Sequence, residues 1–138
     1  GASTLEREVA LAEAYLRAVP AGRNKELVAQ SDVDGDLANV DFPPMVLLPL
    51  VHAAADAGAV RVSIEAIQGT GRNTIAIRVS CEAVPAGWSD DALHVVRETL
   101  RQYLGDEASL IVTYESETAA AVVAWPSDAL HAAAQRVA

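Results

Sequence analysis

The side chains able to move a proton, attack an electrophile or hold a metal are few and scattered. They are His52, His94 and His131, the single Cys81, and carboxylates at Asp32-Asp34-Asp36, Asp56, Glu82 and Asp90-Asp91. His94 and His131 share no metal-ligand spacing with His52 or Cys81, so no metal site is expected. Asp32, Asp34 and Asp36 match half of a calcium loop, but the rest of the pattern and its closing Glu are missing, and a turn is the better reading. Cys81 has no partner for an internal disulfide, which fits a reducing, cytoplasmic setting. A reactive thiol needs a nearby cation or a helix N-terminus. Cys81 stands instead beside Glu82 at the end of a strand-like run, and reads as a small buried or half-buried residue. His52 can accept a proton, yet on an apolar helix it reads as a partly buried polar residue. Asp56 reads as a solvated helix residue.

The elements that must carry these groups follow from periodicity. Leu5, Val9, Leu11 or Ala12, Leu16 and Val19 recur at near-helical spacing over 3–19, and Pro20 and Gly22 stop that helix. Leu27 to Val33 is a strand candidate, followed by turn chemistry at Asp34-Gly35-Asp36. Phe42 to Gly58 reads as an apolar helix, capped by Asp41, with Pro43 and Pro44 in its first turn and a bend at Pro49. Val60 to Ile67 and Thr74 to Cys81 alternate as a hairpin around Gly69 and Gly71. Val60, Val62, Ile64, Ile75, Ile77 and Val79 form its buried face, with Arg61, Ser63, Glu65 and Arg78 opposite. Ser89 or Asp90 caps a helix running to Leu104, and Gly105 ends it. Leu110 to Glu115 and Ala119 to Trp125 make a second hairpin, and Ser127 to Val137 reads as a terminal helix. Hairpins interleaved with helices predict an α/β fold, a two-layer sandwich of one mixed sheet with helices on one face. The helix of residues 1–20 is expected to lead into a domain spanning 21–138.

Composition bounds the partners. The 138 residues are 51% hydrophobic, enough for one domain with a real core. Net charge is −9, with 19 acids against 10 bases, and Lys25 is the single lysine. No basic cluster suits nucleic acid, and an acidic face repels anionic lipid. No apolar run reaches the ~18 residues of a membrane span. Gly1-Ala2-Ser3 reads as a cloning remnant, so the natural chain is expected to run further, with any membrane anchor outside this piece.

Phe42 to Gly58, FPPMVLLPLVHAAADAG, resembles the nucleotide-site helix of LytS-type sensor histidine kinases, whose pattern runs Pro-Pro-x-x-Leu-Gln-Pro-Leu-Val-Glu-Asn-Ala-x-x-His-Gly. Pro43, Pro44, Leu47, Pro49, Leu50, Val51, Ala54 and Gly58 hold the frame. The family's Gln falls at Leu48, its Glu at His52, its Asn at Ala53 and its His at Ala57. The likeness extends from Leu5 to Pro126. Leu5-Glu6-Arg7-Glu8 to Tyr15-Leu16 resembles the helix ahead of the ATPase domain, and Arg23 an arginine just after it. Val96-Arg97-Glu98-Thr99-Leu100 with Tyr103-Leu104-Gly105-Asp106 resembles the stretch after the second glycine box. The resemblance implies the ATP-binding sandwich shared by histidine kinases, gyrase, the Hsp90 chaperones and MutL.

The same resemblance implies lost chemistry. Magnesium-ATP needs an Asn oxygen where Ala53 stands. The adenine-reading Asp-x-Gly-x-Gly box falls on Cys81-Glu82-Ala83-Val84-Pro85, with Glu82 one place off and both glycines gone. The second glycine box falls on Asp90-Asp91-Ala92-Leu93, which would face phosphates with carboxylates. The implied vestigial site is therefore His52, Ala53 and Asp56 for catalysis, and Gly58, Cys81, Glu82 and Leu93 for the nucleotide. No cofactor is expected, ATP and magnesium entering under the alternative of a divergent active kinase domain that uses Glu82 or Asp56. The stretch from Cys81 to Leu93 is too short for a full lid, and Trp88 reads as a lid remnant or partner contact. The expected partner is a signalling protein such as a response regulator or kinase, and the stripe of Leu5, Val9, Ala12, Leu16 and Val19 can either cover this domain's own sheet or pair with a second copy of the chain.

Overall fold

A computed structural model describes residues 3–19 and 27–127. The Pro20 and Gly22 stop, Arg23 and the expected terminal helix beyond Ser127 lie outside the described residues.

Helix α1 spans Leu5–Arg17, after a two-residue strand β1, Ser3–Thr4. The Thr4 hydroxyl accepts from the Arg7 N–H at 3.3 Å. The Leu5 and Glu6 N–H groups donate to the carbonyls of Val40 and Ala38, both at 2.9 Å, so two further donors at the helix start are satisfied from outside the helix. Strand β2, Val28–Val33, leads through a 3₁₀ turn at Gly35–Leu37 to β3, Asp41–Phe42, which pairs antiparallel with β1.

The Pro-Pro segment departs from expectation. Asp41 does not cap a helix; it sits in β3 opposite Thr4. The residue before a proline is driven out of the helical region, which keeps Phe42 and Pro43 extended or turning. Met45 follows at φ 63, and helix α2 starts only at Leu47, running to Asp56 with no side-chain cap at Val46. Pro49 is thereby the third helical residue. Its missing N–H would have had no intrahelical partner there, so no bend is required of it. The far end is closed as the sequence suggests. Gly58 takes φ 80, its N–H donates to the Ala55 carbonyl (3.0 Å), and Ala59 donates to Ala54 (3.2 Å), satisfying two terminal carbonyls.

Strands β4, Arg61–Gln68, and β5, Arg72–Ser80, form the first hairpin. Helix α3, Asp90–Leu104, is capped by Ser89, whose hydroxyl accepts from Ala92 N–H at 3.2 Å, and ends at Gly105 with φ 93. Strands β6, Ser109–Glu115, and β7, Thr118–Pro126, close the described chain. The five long strands form one mixed sheet in the order β2-β4-β5-β7-β6. The β2–β4 pair is parallel and the others antiparallel. The parallel step is the one bridged by α2, as a crossover connection requires.

One face of this sheet carries Val62, Ile64, Ile75, Ile77, Val79 and Val123 into a single core with the buried sides of α1, α2 and α3. Arg61, Ser63, Glu65 and Arg78 lie on the other face, where Arg78 pairs with Glu65 at 3.4 Å. The two-layer α/β sandwich is as expected, with one exception on its inner face. Val60 precedes the strand and is exposed. The α1 stripe of Leu5, Val9, Ala12 and Leu16 is buried in this same core, with Val19 packed against it. The helix is part of the domain, and its apolar face is not available to a second copy. Among its large apolar side chains Leu11 is the exposed one.

Candidate functional site

Helix α2 presents His52 and Asp56 on one side and Ala53 on another. His52 and Asp56 are one turn apart and both exposed, at 56% and 52% of their side chains. His52 Nε2 lies 3.1 Å from Asp56 Oδ2, and Nδ1 lies 2.5 Å from the Tyr15 hydroxyl of α1. The Tyr15 and His52 rings are tilted at 48° with centroids 5.5 Å apart. His52 is thus not the partly buried residue of the sequence reading. It reaches outward because both of its partners stand on the solvent side of the α1–α2 contact. Tyr15 carried no signal of this role, since it is remote from His52 in the chain and nothing in local spacing joins them.

Ala53 faces inward, toward the segment that follows β5. Pro85 begins a 3₁₀ turn at Ala86–Trp88. Trp88 is buried and its indole N–H donates to the Leu50 carbonyl at 3.0 Å. It is a core residue, not an exposed partner contact. That anchor pulls Gly87 onto Ala53, so closely that a Cβ at Gly87 would stand 2.5 Å from the Ala53 Cβ. The place at which the family resemblance puts the metal-binding asparagine is thus a partly buried alanine beside Gly87, with no side-chain oxygen to offer a metal ion.

Beside this contact is a cleft of about 700 Å³, at the end of α2, the end of β5 and the β6–β7 turn. It is lined by Gly58, Cys81, Glu82, Ser116, Glu117 and Thr118, among others. Its walls are tied together. The Cys81 N–H donates to the Glu117 carbonyl (3.1 Å), and the Tyr114 hydroxyl donates toward the carbonyls of Cys81 (3.0 Å) and Glu82 (2.6 Å). Burial pushes the Tyr114 phenol above its ordinary 10.0, helped by the nearby Cys81, Glu117 and Glu82. Ser116 and Glu117 make the β6–β7 turn with φ 51 and 61, the left-handed pair that a two-residue hairpin turn demands. The cleft lining includes two carboxylates and no basic side chain, which disfavours phosphate-rich ligands.

The expected site residues therefore separate. Gly58, Cys81 and Glu82 do meet at one cleft. His52 and Asp56 point to the outer side of α2, Ala53 lies under Gly87, and Leu93 is buried in the core. Cys81 is half-buried, as expected, with Sγ 3.6 Å from the Val79 carbonyl. Asp34, from the aspartate-rich turn, accepts from the Gln68 N–H at 2.9 Å and so serves the turn. Among the described residues no group of His, Cys, Asp and Glu is arranged to hold a metal ion, and no helix is long and apolar enough to cross a membrane.

No family model matches the sequence, and no curated protein matches it. Solved structures match in shape. The nucleotide-free catalytic domain of the histidine kinase ThkA superposes with a TM-score of 0.72 at 11% identity, covering 92% of this chain and 95% of that one. ThkA in complex with the response regulator TrrA gives 0.70 at 11% identity over 94% of this chain and 42% of that one. The histidine kinase AdeS of Acinetobacter baumannii gives 0.67 at 11% identity over 93% and 67%. At these identities the likeness is one of fold, and the fold is that of histidine kinase catalytic domains.

Proposed function

We propose that this domain has kept the histidine kinase ATPase sandwich without its Mg-ATP chemistry. It works as an interaction or regulatory module of a bacterial, cytoplasmic signalling pathway. Its partner is a signalling protein, a response regulator or a kinase, and it needs no cofactor. The observation that carries this reading is the seating of Gly87 on Ala53. A longer, metal-binding side chain at position 53 would have to compete with the close-lying backbone at position 87. The acidic lining of the neighbouring cleft acts in the same direction. ThkA, of the same fold, is known in a complex with a response regulator, which supports the choice of partner class. Titration with ATP and magnesium followed by thermal unfolding tests the first half. A ligand at a hundred times its dissociation constant adds about 2.7 kcal/mol, and no saturable rise in melting temperature is expected. Pull-down against a set of response regulators tests the second half.

A second reading, a divergent domain that still binds ATP, draws on the cleft itself. Its volume suits a small ligand, and Glu82 borders it. A saturable, magnesium-dependent stabilisation by ATP would favour this reading and sink the first.

A further inference from the structure

We propose that Asp56, His52 and Tyr15 form a proton relay that makes the Tyr15 hydroxyl a nucleophile toward uncharged acyl esters. An ionised carboxylate only accepts hydrogen bonds, so Asp56 Oδ2, 3.1 Å away, fixes the imidazole proton on Nε2. Nδ1 is then the lone-pair nitrogen, 2.5 Å from the Tyr15 oxygen and placed to receive its proton. Hydroxyl, imidazole and carboxylate in this order, each within hydrogen-bond reach, are the recurring constellation of nucleophilic catalysis, recognised by geometry rather than by fold. Nothing in the core requires it. Both His52 and Asp56 are exposed by more than half, and the α1–α2 contact is already held by buried leucines and valines.

The reagent class follows from the surroundings. Leu11 and Leu48 stand one helical turn before Tyr15 and His52, the first exposed and the second half-buried, and give the pair apolar neighbours. A net charge of −9 disfavours anionic phosphoryl donors. In the step itself the Tyr15 oxygen bonds to the ester carbonyl carbon as its proton passes to His52 Nδ1. The carbon–oxygen bond to the leaving group then breaks, and the proton is released with that alcohol or phenol. No oxidant or metal is needed. Proton removal happens as the bond forms. The relay is on the outer side of α2 and stands whether or not ATP binds elsewhere.

The test is acylation by p-nitrophenyl acetate, with acetyl-tyrosine mapped by mass spectrometry. Tyr103, exposed on α3, is the internal standard. In the unmodified protein Tyr15 should acetylate at least about tenfold faster than Tyr103, a modest share of what a positioned base supplies. His52→Gln should bring Tyr15 down to the Tyr103 rate and leave Tyr103 unchanged. Asp56, a positioning residue, is read by rescue: Asp56→Asn should slow Tyr15 acetylation severalfold, and Asp56→Glu should restore part of that loss, with Tyr103 unchanged in both. Equal labelling of Tyr15 and Tyr103, a Tyr15 rate untouched by His52→Gln, or acetyl found on His52 with none on Tyr15 would overturn the proposal. The first comparison needs no variant, so failure of a variant to fold cannot shelter it.

Discussion

Gly87 rests on Ala53 with no room for a methyl group between them, since a Cβ on Gly87 would come within 2.5 Å of the Ala53 Cβ. Neither atom is the end of a flexible chain that can swing aside. Gly87→Ala should therefore destabilise the domain by about 1–3 kcal/mol, the usual cost of overpacking. Ala53→Asn should do the same and should not create ATP binding. Urea unfolding of both variants, with ATP and magnesium added to the second, checks this. A stable Ala53→Asn protein that gained saturable ATP binding would show that the loop moves aside readily.

Trp88 is the anchor of that loop through its Nε1–H bond to the Leu50 carbonyl. Trp88→Phe removes the donor and shrinks the side chain, and about 1–3 kcal/mol should be lost. Trp88→Ala should cost about 3–5 kcal/mol. Because the loop is then no longer held on α2, amide exchange should speed up at Gly87 before it does so in β5. Uniform exchange across both segments would show that the loop is held by something other than the indole.

Leu5→Asp and Val9→Asp separate core from interface. Both side chains are buried within the single chain. An unpaired carboxylate there has no water and no partner, so each change should cost more than about 3 kcal/mol and abolish folding together. Circular dichroism of the double variant decides. A well-folded double variant would return the stripe to the role of a dimer contact.

Tyr114 couples the cleft to alkaline pH. Its phenol is held above the ordinary 10.0, so between the unfolded and folded values the folded protein keeps a proton that the unfolded chain has lost. The contribution of this group is fully present below about 10, and stability should fall as pH climbs from there through the folded value. Tyr114→Phe should flatten that fall. It should also lower the melting temperature slightly at neutral pH, through loss of the bonds to Cys81 and Glu82. Melting temperatures followed from neutral to alkaline pH check both. An unchanged alkaline slope in the variant would remove Tyr114 from the account.

Sequence alone determined the parts whose cause is local. Alternation in Val62-Ile64 and Ile75-Ile77-Val79 set two strands and their buried face, and near-helical spacing from Leu5 to Leu16 set α1. Ser89 and Gly105 set both ends of α3, and Gly58 the end of α2. These work because a period of two or of 3.6 residues, a cap or a positive φ is a property of neighbouring residues. The frame residues of the Pro-Pro helix likewise pointed to a histidine kinase-like sandwich, whose fold the solved structures share. What lay beyond reach was set by groups distant in the chain. Asp41 went to a strand because Thr4 pairs with it, instead of capping α2. The α1 stripe went to the core because α2 and the sheet offered it apolar surface. Trp88 turned inward, where the Leu50 carbonyl accepts a hydrogen bond from its indole N–H, and Gly87 came to lie against Ala53. His52 found Tyr15 because two helices happen to cross there. Tertiary packing decides such pairings, since contact energies between distant segments leave no period in the sequence that makes them.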